Sequence, residues 1–383
     1  MSAPSNYPAI KLLQLARESL VAGDLAAAEA RFNSVLSHEP GNGFALHHLG
    51  LLAWNQGRRA EARTLIEKAL QSEPDHVPLL LSAGEMLHDL GEPRPALDIF
   101  LRILAIDNSL PEIWNAAGVC FQETRQPTSA IEFFLRALGL KPAFPEALNN
   151  LGVVLTEEHD PASAIDNFEQ ALQLQPDYAA CHNNLGVALR QRLEYDRAVA
   201  AFEHAFRLDP ANADFAGSYG EILSLLYDPR AEALLREALR LRPTDPEKHW
   251  NLGIEFLKHG HYIEGWQKYE WRWQRTKNQN PLRPFQQPFW HGEPETDLHN
   301  QTLLLHAEQG FGDTFQFLRY LPLILERGPD VILEVQPPIY RLTKEFAARL
   351  SPRITVVSHG DPLPNFDFHI PLMSLPTAIA TTL

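Results

Sequence analysis

The chain has 383 residues, 45% of them hydrophobic, which excludes wholesale disorder and leaves room for a long array with a small second domain. A net charge of -15 and a pI near 5.5 argue against nucleic acid as a partner, because such affinity rests on Lys and Arg neutralising phosphates. Its two cysteines, Cys120 and Cys181, lie apart within helical patterns, so neither a zinc site, a disulfide framework nor a cofactor is expected. The first residues, MSAPSNYPAIKLLQ, lack a basic segment followed by an apolar one, and no stretch approaches the length of a membrane span. The expectation is a cytoplasmic chain with no membrane partner.

After a tail over residues 1–8, a 34-residue period governs residues 9–275. Pro40, Pro74, Pro142, Pro176 and Pro210 share one register, with Asn108 standing in for the missing member. Gly50, Gly84, Gly118, Gly152 and Gly186 form a second ladder, and Ala62, Ala96, Ala130, Ala164 and Ala198 a third. Phe100, Phe134, Phe168 and Phe202 form a fourth. The glycine suits a close helix crossing and the alanine twelve residues on fills the facing position. The aromatic is expected to pack between repeats, and the proline stops the second helix. Each period therefore predicts helix, turn, helix, stacked into a right-handed α-solenoid. A seventh unit is one residue short between Gly220 and Ala231. An eighth begins near Pro246 and carries Gly265 where alanine is usual.

These ladders resemble the tetratricopeptide repeat family, which implies about eight repeats and a concave face that binds a protein or extended peptide. The first helices carry Asn115, Asn149, Asn150, Asn183, Asn184 and Asn251, with His47 and His48 at comparable positions. An amide both donates and accepts, so a row of them can grip a peptide backbone without reading side chains. The row is similar to the asparagine ladder in the repeats of protein O-linked N-acetylglucosamine transferases; alternatively it solvates an exposed helix face. A clamp for a C-terminal carboxylate is disfavoured, since His47, Leu81, Asn115, Asn149 and Asn183 supply no cation where that clamp needs one.

Residues 276–300 read as a linker with aromatic anchors, Phe285, Phe289 and Trp290, fastening the last repeat to the C-terminal segment. From residue 301 the pattern becomes α/β. Strands are expected at Thr302 to His306, Asp330 to Val335, Ile354 to Val357 and Phe368 to Pro371, with helices from Thr314 to Arg327 and Pro338 to Leu350. Alternation of this kind predicts a parallel, Rossmann-like sheet. The turn Gly310-Phe311-Gly312-Asp313 lacks the third glycine of a dinucleotide fingerprint, so NAD is disfavoured. The turn presents backbone N–H groups and the Asp313 carboxylate at a helix N-terminus, which suits an anion or a reacting hydroxyl, or else a plain cap with Asp313 as N-cap. His259, His261, His306, His359 and His369 form no metal pattern and read as ordinary polar residues.

The runs EGWQKYEWRW, LLLHAEQGFGDTFQFLRYLP and NFDFHIPLMSLP resemble bacterial proteins that join tetratricopeptide repeats to a glycosyltransferase-like domain. The GFGD turn is similar to one opening the heptosyltransferase fold, a two-lobed GT-B enzyme. That resemblance implies a catalytic base at Asp313, with Gly310 and Gly312 as turn glycines. It also implies that residues 301–383 are the first lobe, with the nucleotide-sugar held mainly by a second lobe in a longer parent. Two readings result: a repeat scaffold attached to a glycosyltransferase lobe, and a non-catalytic scaffold with a remnant α/β domain.

Overall fold

The structure is a computed structural model that describes residues 7–275, 282–308 and 310–381. It divides into two compact units, Met1–Ala205 and Phe206–Leu383. The first unit is built from helix pairs: α1 (Tyr7–Val21) with α2 (Leu25–His38), α3 (Gly43–Asn55) with α4 (Arg59–Ser72), and α5 (Val77–Asp89) with α6 (Pro93–Ile106). It continues with α7 (Pro111–Glu123) and α8 (Pro127–Leu140), α9 (Pro145–Glu157) and α10 (Pro161–Leu174), then α11 (Ala179–Gln191) and α12 (Tyr195–Leu208), which runs across the unit boundary. Proline opens α6 to α10, where its fixed φ suits the first turn and its missing N–H would have no helical acceptor.

The glycine ladder works against the aromatic of its own repeat. A Cβ on Gly84, Gly118 or Gly152 would lie 2.6 Å from Phe100, Phe134 or Phe168, sixteen residues on, and at Gly186 it would lie 2.7 Å from Phe202. The expectation of an aromatic packed between repeats is therefore incomplete. Each of these rings is buried over its own glycine, and Phe134 also joins Leu151 and Val154 of the next pair. Helices in a pair approach closely because the glycine makes room for the ring.

A further periodic position keeps glycine only through the first three pairs. Gly23, Gly57 and Gly91 close the turn inside the first three pairs with φ of 75°, 78° and 74°. Arg125, His159 and Leu193 hold the same place with φ of 62°, 63° and 62°. A side chain in that left-handed region costs about 1–2 kcal/mol, partly offset by the extra chain entropy that glycine loses. Leu193 is 68% exposed, so little packing is lost with its side chain. Leu193→Gly should therefore raise stability by about 0.5–1 kcal/mol, read as a higher midpoint in urea at unchanged slope.

The second unit starts with α13 (Ala213–Leu225), α14 (Ala231–Leu241), α15 (Pro246–Lys258) and α16 (Tyr262–Tyr269), followed by a 3-10 turn at Glu270–Gln274. The missing residue is absorbed without loss of packing, because a Cβ on Gly220 meets Leu235, fifteen residues on, at 2.9 Å. In the last pair Gly253 and Gly265 bring backbones together. A Cβ on Gly253 would lie 3.0 Å from the Tyr269 nitrogen and 3.1 Å from the Gly265 oxygen.

Among the described residues four parallel strands follow: β1 (Thr302–His306), β2 (Asp330–Val335), β3 (Ile354–Ser358) and β4 (Phe368–Pro371), in the order β3-β2-β1-β4. The helix expected from Thr314 to Arg327 is broken. It runs as α17 (Phe311–Phe317), a 3-10 turn at Leu318–Tyr320 and α18 (Leu321–Glu326), with Pro322 restarting it. A proline nitrogen cannot donate to the preceding turn, so the interruption falls there. The second expected helix begins as a 3-10 turn at Pro337–Ile339 and continues as α19 (Tyr340–Leu350); after β4 come a 3-10 turn and α20 (Leu375–Ala378).

The two faces of the sheet differ in chemistry. Leu303, Leu305, Val331, Leu333, Val335 and Ile370 join a core with Phe317, Leu321, Ile324 and Ala347 from α17, α18 and α19. In the alternate register stand Leu304, His306, Ile332, Glu334 and His369, all nearly inaccessible. Within the stretch read as a linker, residues 276–281 lie outside the described residues, and Phe285 and Phe289 pack against the histidines of this polar face. Phe289 bridges His369, the Trp290 N–H donates to the His369 carbonyl at 2.9 Å, and Phe285 lies edge-on to His306 and His369. Trp290 is 1% exposed and sits in the core. The three aromatics thus anchor on the sheet.

Candidate functional site

The asparagines expected on the first helices bond to one another. Asn150 Nδ2 donates to Asn115 Oδ1 at 3.0 Å, Asn149 Nδ2 to Asn150 Oδ1 at 3.4 Å, and Asn184 Nδ2 to Asn149 Oδ1 at 3.0 Å. This chain of amides links α7, α9 and α11. Asn149 is buried within it, whereas Asn115, Asn150 and Asn184 are half-buried. Among the described residues, Asn115 Nδ2 and Asn184 Oδ1 remain without partners at the two ends, and Asn183 Oδ1 is a buried acceptor with none. The expected row is therefore already engaged within the protein, with its open valences at the ends. Asn251 stands elsewhere, in the second unit, where its amide donates to Glu221.

Beside the open Asn184 lies a groove of about 190 Å³ between α9 and α11, lined by Val153, Thr156, Phe168, Asn184 and Val187, with Glu157 and Gln191 also on its wall. An apolar floor with an unpaired amide at its edge can take an extended backbone and an aliphatic side chain. At the other end of the same unit, His47 is 7% exposed and bonded to Ser82 Oγ at 2.9 Å. Burial first, then His48 and His76, lower its pKa to about 4, so it offers no cation to a carboxylate.

The GFGD turn lies after β1, on the side of the β1 C-terminus, and Gln309 before it falls outside the described residues. Gly310 is the N-cap of α17 and Asp313 is the third residue of that helix, so the reading of Asp313 as an N-cap is wrong. Neither glycine is required by its own φ or by steric pressure. Gly310 has φ -69°, a Cβ there would meet only Asp313 at 3.6 Å, and a Cβ on Gly312 would face open space. Asp313 is half-buried and makes no hydrogen bond or ion pair with a described residue.

A buried charge cluster lies next to it that sequence reasoning missed. Arg272, 4% exposed, donates from Nε and Nη2 to the Glu308 carboxylate at 3.2 and 3.1 Å, from Nη1 to Glu270 at 2.6 Å, and from Nη2 to Ser374 Oγ at 2.7 Å. Ser374 Oγ donates to the second Glu270 oxygen at 3.0 Å. Burial pushes the Glu308 carboxyl up despite its ion pair with Arg272. Burial, then Glu308, Asp313 and Glu270, push the Tyr269 hydroxyl up against the opposing charge of Arg272. Asp313 thus shares its surroundings with Glu308, Glu270, Arg272 and Tyr269. The available signal was the charged pair Glu270 and Arg272 inside an aromatic-rich run, a composition that buries charge only when it is paired.

His306 and His369 belong to the buried polar face, with His306 Nε2 and His369 Nδ1 unpartnered. Burial, then Arg283, His369 and His359, lower the His306 pKa to about 3. Glu334, on the same face, pairs with Arg283 and with His359 at 3.3 Å. His259 bonds Glu255 at 3.0 Å, and Gly260 beside it holds φ 80°. Among the described residues no group of three or more His, Cys, Asp and Glu could hold a metal ion, and no helix is long and apolar enough to cross a membrane.

Family models of the tetratricopeptide repeat match residues 47–111, 111–144, 144–211 and 183–246, together more than half of the chain. Protein FlbA of Caulobacter vibrioides is 30% identical over 145 residues, which is 37% of this chain and 22% of FlbA. The chain therefore spans well under two thirds of that curated relative. A tetratricopeptide repeat protein from Parabacteroides merdae is similar at 18% identity and a TM-score of 0.55, over 65% of this chain and 99% of that one. A chain of the APC/C hetero-tetramer Cut9–Hcn1 is similar at 20% identity and a TM-score of 0.52, over 64% of this chain and 52% of that one. At these identities the two structures speak for the fold alone.

Proposed function

Because the chain belongs to the tetratricopeptide repeat family, whose helix pairs generally bind protein partners, we propose that its first unit holds a polypeptide in extended form against α7, α9 and α11. The observation that carries this reading is the amide chain ending in an unpartnered Asn184 oxygen beside an apolar groove. A peptide N–H can donate to that oxygen while a small aliphatic side chain enters between Val153 and Val187. Peptides selected from a random-sequence library on the intact protein provide the test. Asn184→Ala should weaken the selected peptides about tenfold, measured where both proteins are fully folded, since losing the bond to the buried Asn149 oxygen also lowers the melting temperature; equal affinity for both folded proteins would sink the reading.

A second reading concerns the α/β part, residues 301–383. The strand order β3-β2-β1-β4 reverses direction between β1 and β4, and Asp313 follows β1 at that point, where ligands enter open parallel sheets. This favours a Rossmann-like first lobe of a GT-B glycosyltransferase, with Asp313 as its base and Gly310 and Gly312 admitting close approach of a substrate. The repeats would then present an acceptor polypeptide to an enzyme that uses a nucleotide-sugar. Transfer of labelled sugar by the protein should fall by about two orders of magnitude in Asp313→Asn; equal transfer by both removes Asp313 from the chemistry.

A further inference from the structure

We propose that the recess between α14, α15 and α16 binds an organic anion, with its phosphate or carboxylate group between Lys268 and Arg236 and a flat ring against Trp271. The recess has a volume of about 380 Å³ and is lined by Arg236, His249, Phe256, Lys268 and Trp271, with Glu264 at its exposed rim. That volume suits a ligand of one or two rings.

Three features make it a built site. First, Lys268 is half-buried and has no hydrogen bond or ion pair among the described residues. Burial, then the neighbouring Arg236, hold its ammonium below the usual lysine range. A cation kept partly out of water beside another cation is stabilised by an anion. Second, Arg236 is oriented from both sides. It is ion-paired with Glu232, through Nε at 2.9 Å and Nη2 at 2.8 Å, and its guanidinium lies 4.8 Å from the centre of the Phe256 ring.

Third, the aromatic wall is preassembled. His249 and Trp271 stack at 3.8 Å with an interplanar angle of 4°. His249 Nε2 lies 2.8 Å from the Pro243 carbonyl and must donate to it, so Nδ1 carries the lone pair; that atom is buried and unpartnered. Burial, then Lys268, hold His249 below its ordinary pKa, against the raising influence of the Pro243 carbonyl and Asp245. An anion on Lys268 removes part of that repulsion, so binding should draw a proton onto His249. Phosphate and carboxylate share this recognition, and ligand titration separates them.

The site does not depend on the peptide reading, and its test involves no peptide. Phenyl phosphate, benzoate, inorganic phosphate and phenol are titrated against the intact protein, with heat and the NMR titration of His249 as readouts. The better of the two ring-bearing anions should bind at least about tenfold tighter than inorganic phosphate or phenol, and whichever it is names the anionic group. Lys268→Gln and the exposed Arg236→Gln should each weaken it about tenfold. Trp271→Leu should reduce it to the level of inorganic phosphate, and saturation should raise the His249 pKa. Equal binding by wild type, Lys268→Gln and Arg236→Gln, or a His249 titration that does not move with ligand, would overturn the proposal.

Discussion

Gly152→Ala is expected to destabilise the protein when Phe168 is present and to stabilise it when Phe168 is alanine. In a helix, alanine is better than glycine by about 1 kcal/mol. Here the added Cβ would lie 2.6, 2.8 and 2.9 Å from three ring carbons of Phe168, which is fully buried, so the ring must be displaced from its packing. Overpacking of this kind costs about 1–3 kcal/mol and outweighs the gain in propensity. Phe168→Ala alone should cost about 3–5 kcal/mol through the cavity it leaves. In that background the methyl added at Gly152 meets no ring, so the propensity gain survives and part of the cavity is filled. Urea unfolding of the four proteins should show a coupling of about 2–3 kcal/mol. A Gly152→Ala effect of the same sign in both backgrounds would mean that the glycine is not there for the ring.

The second large effect falls on Arg272. Removing one partner of a buried ion pair costs about 3–5 kcal/mol, because the remaining charges stay out of water without compensation. Arg272→Met would strand Glu308 and Glu270, both held by that one guanidinium. The pH dependence has a definite sign. Glu308 has a folded pKa above its unfolded value, so its contribution is fully present below the unfolded carboxylate pKa and is lost as pH rises through the folded one. Loss of Arg272 raises the folded value further. The penalty of Arg272→Met should therefore be smaller at about pH 5 than at about pH 8. Arg272→Met combined with Glu308→Gln and Glu270→Gln should recover much of the loss, since no buried charge then lacks a partner. A penalty independent of pH would point to lost packing against Tyr269 and Trp273, whose rings lie 5.0 and 4.2 Å from the guanidinium.

The helix pairs were legible because steric demands repeat. One glycine, one alanine and one ring per 34 residues leave ladders that need no alignment to see. The turn position shared by Gly91 and Arg125 leaves only a partial one, Gly23, Gly57 and Gly91, since about 1 kcal/mol of backbone strain is tolerated and other residues take the place in later pairs. The strands were legible as apolar runs between turn signals, and the parallel order followed from their alternation with helices. The break at Pro322 was present in the sequence but outweighed by the apolar period around it. At the candidate sites, residue types were legible and partners were not. Asn149 looks like a solvated amide in a helix pattern, and only the neighbouring helix shows that its oxygen is taken by Asn184. Asp313 could be placed after a strand. Arg272, some forty residues earlier, could not be placed beside Glu308, because that contact depends on how the last helix pair meets the sheet.

The amide chain across α7, α9 and α11 also sets a unit of length. Packed helices lie about 8–10 Å apart, and a polypeptide crossing them in extended form advances about 3.3 Å per residue. One helix pair therefore corresponds to roughly three residues of whatever lies across it. Asn115 and Asn184, the open ends of the chain, are two pairs apart, a distance matched by a stretch of about six residues. The N–H and C=O of successive residues in a strand point to opposite edges, so residues an even number apart present the same edge. Both open amides could then be met from one edge of a nearly flat strand, leaving its other edge free. Inserting a single residue between the two contacted positions would turn one of them away, whereas inserting two would only lengthen the span.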